Sequence, residues 1–155
     1  YIQGTDDLKD WLINFSFLGG DNHKGFFDEA SILYGKYLRN NVKYIVGHSA
    51  GAAIGQQLGY ILNRPSIGFG CPRHFSRSKL PLMAKYCDNH TLNLDINIDP
   101  VTLVPPWYYR GNNCEKAGKI GHSLNMYKRV YGDYNLEFTE EGSPYLSKET
   151  YLVRN

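Results

Sequence analysis

The stretch Val-Gly-His-Ser-Ala-Gly at residues 46–51 contains the pattern Gly-x-Ser-x-Gly and joins an apolar run at residues 44–46 to an amphipathic segment, Ala50–Leu62. This order predicts a strand, a tight turn and a helix, because glycines on both sides of the serine remove the Cβ atoms that would clash in the turn. The hydroxyl of Ser49 would then project from the end of the strand as a nucleophile. The N–H of Ala50, in the first turn of the helix, would face a developing oxyanion.

Helical and strand patterns alternate along the rest of the chain. Helical spacing of apolar residues occurs at residues 6–15, 26–37, Ala50–Leu62 and 122–131. Strand patterns occur at residues 1–3, 44–46, Ser66–Phe69, Thr91–Ile98 and 135–139. Residues 100–118 are rich in Pro, Gly and Asn and predict a loop. The alternation predicts one α/β domain over residues 1–155, with a mostly parallel sheet, helices on both faces, and a site at the carboxyl ends of the strands.

A base must accompany the serine, because a serine hydroxyl is a poor nucleophile until its proton is removed. Three histidines follow Ser49 in the chain: His74, His90 and His122. His74 lies in a basic loop, and His90 begins a predicted strand at the end of the sheet away from the site. His122 follows the long loop and opens a predicted helix, so we predict that it is the base.

The acid that orients the base is expected between the serine and the histidine, the order found in α/β-hydrolases. Asp88 precedes the predicted strand Thr91–Ile98 and Asp95 lies inside it. Asp99 lies at the carboxyl end of that strand, where Pro100 favours an extended backbone. We therefore favour Asp99 as the acid, with Asp95 as the alternative.

Composition and charge argue against several classes of protein. The formal net charge is +2 and the isoelectric point about 8.4, and basic residues are scattered among acidic ones. No basic block therefore indicates binding to nucleic acid or to an anionic membrane surface. No apolar run approaches the roughly 18 residues of a transmembrane segment. The three cysteines have no Cys-x-x-Cys spacing, and no P-loop, EF-hand or His-x-x-x-His pattern occurs, so we expect neither a metal nor a cofactor.

Four motifs match those of one known family. The turn at residues 47–51 is followed by Phe-Gly-Cys-Pro-Arg at residues 69–73, and by Asp-Pro-Val and Val-Pro-Pro within residues 99–106. A His-Ser-Leu segment with a tyrosine follows at residues 122–127. Together these motifs resemble the class 3, fungal-type triacylglycerol lipases of the α/β-hydrolase superfamily.

The resemblance implies a fold and a reaction. It implies an α/β-hydrolase fold, in a small or N-terminally truncated version because the chain begins three residues before Gly4. It also implies cleavage of carboxylic esters through an acyl-enzyme, with Ser49, Asp99 and His122 as the catalytic triad. The Gly-Thr pair at residues 4–5 resembles the oxyanion loop of the family, which implies a second N–H donor at Thr5.

Further candidate residues lie at two places in the chain. Trp11 and Leu12, candidate substrate-binding residues, lie in a segment that resembles the lid region of the true lipases, although such an apolar stripe more often packs in a protein core. His23 resembles a structural histidine of the family. Trp107 is suited either to line an acyl or aromatic pocket or to cover the sheet edge.

The substrate and setting follow from the resemblance alone. It implies a small-molecule or lipid ester as substrate, at a lipid–water interface, and secretion as the commonest location in the family. Two other functions stay open: acyl transfer to a second alcohol on the same site, and a non-catalytic interaction domain derived from a hydrolase. The presence of serine, aspartate and histidine in order argues against the latter. The sequence does not indicate the oligomeric state.

Overall fold

A computed structural model describes residues 1–4, 24–37 and 41–148 of the chain. The helices are α1 (Lys24–Tyr37), α2 (Ala50–Leu62), α3 (Pro81–His90) and α4 (Leu124–Tyr131), with a 3-10 helix at Pro100–Leu103. The strands are β1 (Ile45–His48), β2 (Ser66–Phe69), β3 (Thr91–Ile98), β4 (Cys114–Ile120), β5 (Tyr134–Phe138) and β6 (Pro144–Lys148). None of the helices in these ranges is long and apolar enough to cross a membrane.

The central sheet contains four parallel strands in the order β1-β2-β3-β4. At the β1 edge, Ile2 forms a parallel bridge with Gly47, and the N–H of Ile2 donates to the carbonyl of Val46 at 2.8 Å. Strands β5 and β6 form a separate antiparallel hairpin. The predicted parallel sheet is confirmed, and the carboxyl ends of β1, β2 and β3 therefore meet at one end of the sheet.

Both faces of the sheet are buried. The apolar side chains of β3 pack with α4 and the hairpin, in a cluster that includes Leu94, Ile96, Tyr127 and Leu146. The opposite face of the sheet lies against α2 and α3. On this face the polar side chains Thr91, Asn93 and Asp95 of β3 are also buried. Alternation along β3 thus predicted a strand correctly, although the alternation separates two buried layers of different polarity.

A buried polar network joins α2 to the sheet. Gln56 and Gln57 of α2, His74 and Asn93 are all 0% exposed. Gln56 Nε2 donates to Asn93 Oδ1 at 2.7 Å, and Gln56 Oε1 lies 2.8 Å from His74 Nε2. Gln57 Nε2 lies 2.7 Å from His74 Nδ1. Polar atoms tolerate burial when they have such partners, and the network therefore fixes how α2 sits on β3.

Helix α3 lies where the sequence patterns predicted no helix. It begins at Pro81, a residue favoured in the first helical turn, and it buries Met83, Ala84 and Cys87. These positions have helical spacing, but few of them are large and apolar, so the periodicity over ten residues is weak. His90 ends this helix and does not begin the next strand as predicted.

Strand β4 begins inside the predicted loop at residues 100–118 and extends two residues beyond it. Its sequence, Cys-Glu-Lys-Ala-Gly-Lys-Ile, has low strand propensity, so pairing with β3 decides its conformation. Lys116 and Lys119 suit the exposed edge that this strand forms, because charged side chains discourage further strand pairing. The strand predicted at residues 135–139 is confirmed as β5, one residue earlier, while its partner β6 had not been predicted. The helix predicted at residues 6–15 lies outside the described residues.

We predict that replacing Asn93→Leu lowers the free energy of unfolding by about 1–3 kcal/mol, because it leaves Gln56 Nε2 buried without its acceptor. The matched control is Asn97→Leu, which alters the same face of the same strand where the side chain is exposed. Its expected effect is within about 0.5 kcal/mol. Urea unfolding followed by circular dichroism measures both, and equal losses would contradict the structural role of the network.

Candidate active site

Ser49 lies on a strained turn between β1 and α2. Its φ is +59° and its ψ is −129°, a conformation that non-glycine residues rarely adopt. The N–H of Ser49 donates to the carbonyl of Phe69 at 2.9 Å, and the carbonyl of Ser49 accepts from Ala52 at 2.9 Å as the helix begins. The turn is therefore held by the adjacent strand and by the first turn of the helix, in the form expected of a nucleophile elbow.

The two glycines of the motif are required by close backbone contacts. A Cβ atom at Gly47 would lie 2.3 Å from the carbonyl oxygen of Gly51, so the strand and the helix can cross only without it. A Cβ atom at Gly51 would lie 2.3 Å from the carbonyl oxygen of Ile2. Gly4 approaches the turn as well, because a Cβ atom there would lie 2.5 Å from the carbonyl oxygen of His48. The start of the chain, β1 and α2 therefore converge on Ser49.

A continuous chain of hydrogen bonds joins Ser49, His122 and Asp99. His122 Nε2 lies 2.8 Å from Ser49 Oγ, and His122 Nδ1 lies 2.8 Å from Asp99 Oδ2. An ionised carboxylate can only accept, so we assign the imidazole proton to Nδ1, which leaves Nε2 as an acceptor facing the serine hydroxyl. The carboxylate is buried while the imidazole is partly exposed. This arrangement can remove a proton from the serine and stabilise the charged imidazole that results.

Two further donors hold the Asp99 carboxylate. The Tyr127 hydroxyl donates to Oδ2 at 2.5 Å, and the N–H of Val101 donates to Oδ1 at 3.0 Å. Burial, together with the Asp99 charge, raises the pKa of Tyr127 far above its ordinary value, so the hydroxyl stays a donor at neutral pH. With His122, three donors stabilise the negative charge of a carboxylate that is 1% exposed.

His48 and Gly70 pack closely around this chain of groups. The His48 ring stacks on the His122 ring with centroids 4.9 Å apart, and His48 Nε2 lies 2.7 Å from the carbonyl oxygen of His122. Gly70 has a φ of +59°, and a Cβ atom there would lie 2.7 Å from Asp99 Oδ2. The sequence contained both residues within matched motifs, but it gave no indication that they contact the base and the acid.

The rival residues have other partners. Asp95 pairs with Arg110, whose Nη1 donates to Oδ1 at 2.7 Å, and it accepts from the Cys114 thiol at 3.1 Å. Burial, more than the nearby Asp95 charge, raises the pKa of Cys114 to about 12, so this thiol stays protonated at neutral pH. His74 belongs to the network on α2, and His90 lies at the end of α3. Among the candidate aspartates Asp88, Asp95 and Asp99, the carboxylate that contacts the imidazole of His122 is that of Asp99.

One of the two predicted oxyanion donors, Ala50, lies within the described residues. Ala50 begins α2, and no described residue accepts its N–H, as is usual for the first residues of a helix. Thr5 lies outside the described residues, as do Trp11, Leu12 and His23. Their predicted roles stay predictions.

Trp107 lies on the surface, in the loop between the 3-10 helix and β4. It is 60% exposed and lines a groove of about 580 Å³ with Arg77, Tyr108 and Tyr109. Tyr108, in contrast, is buried in a cluster with Ala50. The sequence had left open whether Trp107 lines a pocket or covers the sheet edge. In the structure Trp107 and Tyr109 line the groove, and Tyr108 contributes both to the groove and to the buried cluster.

The likeness to known proteins lies in structure. No protein-family model and no curated protein matches the chain. Lipase II from Rhizopus niveus superimposes with a TM-score of 0.55 at 19% identity, over 66% of this chain and 49% of the lipase. A Rhizomucor miehei lipase propeptide complex gives a TM-score of 0.50 at 17% identity, over 66% and 42%. A mutant of MDLA from Penicillium cyclopium gives 0.58 at 14% identity, over 94% and 58%.

The chain has an α/β-hydrolase fold. The predicted likeness to the class 3 lipases is thereby confirmed for the fold, at identities that establish nothing further. The chain spans about half the length of the solved structures that it matches. A shared fold does not determine function, so the function of this chain depends on the chemistry of its own residues.

We predict that Tyr127→Phe slows covalent labelling of Ser49 by a fluorophosphonate probe roughly tenfold, the kinetic equivalent of about 1.4 kcal/mol. The substitution removes one of the donors that hold the Asp99 carboxylate in line with the imidazole. The measurement is the labelling rate followed by mass spectrometry.

The matched control is Tyr131→Phe. The Tyr131 ring stacks beside that of Tyr127, with centroids 6.3 Å apart, but its hydroxyl contacts the backbone carbonyls of Asp95 and Glu115. It should lose comparable stability and keep the labelling rate. Equal labelling rates in the two variants would contradict a specific role for the Tyr127 hydroxyl.

Proposed function

We propose that the chain is a serine hydrolase that cleaves carboxylic esters through an acyl-enzyme. The observation that supports this function is the continuous hydrogen-bonded chain from Ser49 Oγ through His122 to a buried Asp99, built on a strained strand-to-helix turn. A serine with such a base and such an acid has the groups that acyl transfer requires. The proposed domain extends over residues 1–155.

In the first step, Ser49 Oγ attacks the ester carbonyl carbon while His122 Nε2 takes the serine proton. The carbonyl oxygen becomes a tetrahedral oxyanion, for which the N–H of Ala50 is the proposed donor, joined by the N–H of Thr5. One such donor is typically worth about 3 kcal/mol in the transition state. The intermediate collapses as His122 gives its proton to the departing alcohol oxygen, leaving an acyl group on Ser49.

In the second step, water repeats the same proton transfers. His122 Nε2 takes a proton from water as the water oxygen attacks the acyl carbon, and it then returns that proton to Ser49 Oγ. A carboxylic acid is released and the serine is restored. Asp99 carries no proton in this scheme; its charge stabilises the imidazolium formed in each step.

The substrate class is inferred from the setting of the site. The fold is shared with proteins whose titles name them as lipases, one of them a triacylglyceride lipase, and we propose lipid or small-molecule esters for this chain as well. The His122 side chain is 19% exposed while that of Asp99 is 0% exposed, so the imidazole lies between the buried acid and the protein surface, where a substrate could approach. We further propose a secreted location, the commonest one in the class 3 lipases.

We expect wild-type protein to hydrolyse p-nitrophenyl esters and Ser49→Ala to lose at least about 1,000-fold in kcat. A series from acetate to palmitate would also report the preferred chain length. The matched control is Ser31→Ala, which removes an exposed hydroxyl that donates to the carbonyl of Phe27, one turn earlier on α1. Activity that survives in Ser49→Ala, or a wild type that hydrolyses no ester of the series, would refute the proposed function.

The choice of acid is testable separately. We expect Asp99→Asn to lower kcat by about 10³–10⁴-fold, because the amide can no longer fix the imidazole tautomer or stabilise its charge. Asp95→Asn should instead lower stability, because Arg110 loses its charged partner inside the protein. Comparing kcat with the urea midpoint for each variant separates the two roles. A larger loss of kcat in Asp95→Asn would favour the alternative acid.

A further inference from the structure

The connection after β2 is rich in basic residues, and the loop after β3 packs beside it. Residues 71–87 contain Arg73, Arg77, Lys79 and Lys85 and no Asp or Glu. Residues 100–113 add Arg110, which is paired with Asp95. The chain as a whole has a net charge of only +2, so this excess is local.

The fold joins the two loops into one surface. The N–H of Tyr109 donates to the carbonyl of Phe75 at 2.7 Å, and the N–H of His74 donates to the carbonyl of Tyr109 at 3.0 Å. Phe75 and Tyr109 thereby form an antiparallel bridge. Arg77 therefore lies against the aromatic segment at residues 107–109, although some 30 residues separate them in the sequence.

Carboxylates near these loops are engaged elsewhere. Asp88 accepts from the Tyr109 hydroxyl and from the N–H of Asn112, Asp95 pairs with Arg110, and Asp99 belongs to the site. Arg73 donates to the backbone carbonyl of Pro106 at 3.5 Å, and Arg77 lies over the Tyr109 ring at 5.0 Å. In the part of the chain that the structure describes, neither arginine has a carboxylate within salt-bridge distance.

Large apolar side chains project beside these cations. Trp107 and Leu103 are each 60% exposed and Leu82 is 69% exposed. Trp107 shares its groove with Arg77 and Pro81, while Leu82, the residue after Pro81, lines a second groove with Lys85. We refer to the set Arg73, Arg77, Lys79, Leu82, Leu103 and Trp107 as the basic-aromatic surface.

We propose that the basic-aromatic surface docks the protein on an anionic lipid surface. Lysine and arginine are attracted to acidic headgroups, each cation strengthening binding about fivefold. Tryptophan is favoured at the boundary between headgroups and acyl chains, and exposed leucines gain by entering the apolar layer. A nucleic acid would use the cations but would leave the exposed leucines in water, and charge together with apolar exposure therefore favours lipid.

The position of this surface gives docking a consequence. Its loops begin at the ends of β2 and β3 from which Gly70 and Asp99 also project, at the end of the sheet that carries Ser49. Leu103 and Trp107 follow Asp99 in the chain, and Tyr108 packs in one cluster with Ala50, so docking through these residues would bring the site toward the lipid surface from which an ester must come. This consequence rests on the proposed function, whereas lipid binding itself does not. Arg77 lies farther from the site, over Tyr109, whose hydroxyl donates to Asp88 just before β3.

Binding is measured with the Ser49→Ala protein, so that hydrolysis plays no part and a failed binding test is distinct from a failed activity test. We expect co-sedimentation with vesicles of phosphatidylcholine mixed with phosphatidylglycerol, little with phosphatidylcholine alone, and weaker binding at high salt. Adding Arg73→Glu and Arg77→Glu together should weaken binding about 25-fold or more. The neutral pair Arg73→Gln and Arg77→Gln should weaken it less, which guards against a folding defect in the charge-reversed protein.

The matched control reverses Lys128→Glu and Arg129→Glu together. Both residues are exposed on α4, which covers the opposite face of the sheet, and the pair changes the net charge equally. Binding should then fall only slightly. An equal loss in the two charge-reversed proteins would overturn the proposal, because net charge and not this surface would be responsible.

Fluorescence tests the apolar part of the surface. The chain has two tryptophans, so Trp11→Phe leaves Trp107 as the only one, and its emission should shift to shorter wavelength on anionic vesicles. Binding without such a shift would overturn the insertion of Trp107. Equal binding to neutral vesicles, no binding at all, or full competition by a single-stranded RNA would overturn docking on anionic lipid.

Discussion

The structure depends on one steric constraint, the crossing of β1 and α2 at Ser49. Without side chains at Gly47 and Gly51, the strand can turn directly into the helix, and the start of the chain can pass within contact of that helix. The same turn is fastened to β2 through the carbonyl of Phe69. A strained residue persists only when its surroundings over-determine it, and here three backbone segments hold Ser49 in its left-handed conformation.

The second constraint is electrostatic and concerns the carboxylate of Asp99. A charge that is 1% exposed would be unstable alone, and three donors from the following backbone, from α4 and from the histidine loop compensate for its lost hydration. Because two of these donors come from the segment after β4, the carboxylate ties the carboxyl end of β3 to α4. The same contacts that would orient the imidazole of His122 also hold the last helix on the sheet. Folding and site geometry are therefore coupled at this residue.

The sequence allowed the alternating α/β order, the turn at Ser49 and helix α2 to be predicted, because each depends on local patterns of glycine and apolar residues. It could not give β4, whose residues favour no strand until β3 pairs with them, or α3, whose ten residues are too few and too mixed in polarity to produce a clear period. It also singled out Asp99 and His122 by order along the chain. The part played by Tyr127, His48 and Gly70 depends on contacts between distant segments, which no spacing in a single sequence records.

The distribution of charge on the folded chain is a second property that the sequence alone did not reveal. Counted along the chain, basic and acidic residues alternate and nearly cancel, and nothing in that count indicates an anionic partner. In the fold, Glu137, Glu140 and Glu141 lie on the hairpin and its turn, which pack with the helix that carries Lys128 and Arg129, while the loops after β2 and β3 carry the cations of the basic-aromatic surface. The hairpin packs with α4 on one face of the sheet, and those loops pack with α2 and α3. Electrostatic attraction at a surface depends on charges within about a Debye length of it, so the local cluster of cations, and not the net charge of the chain, governs attraction to an anionic partner.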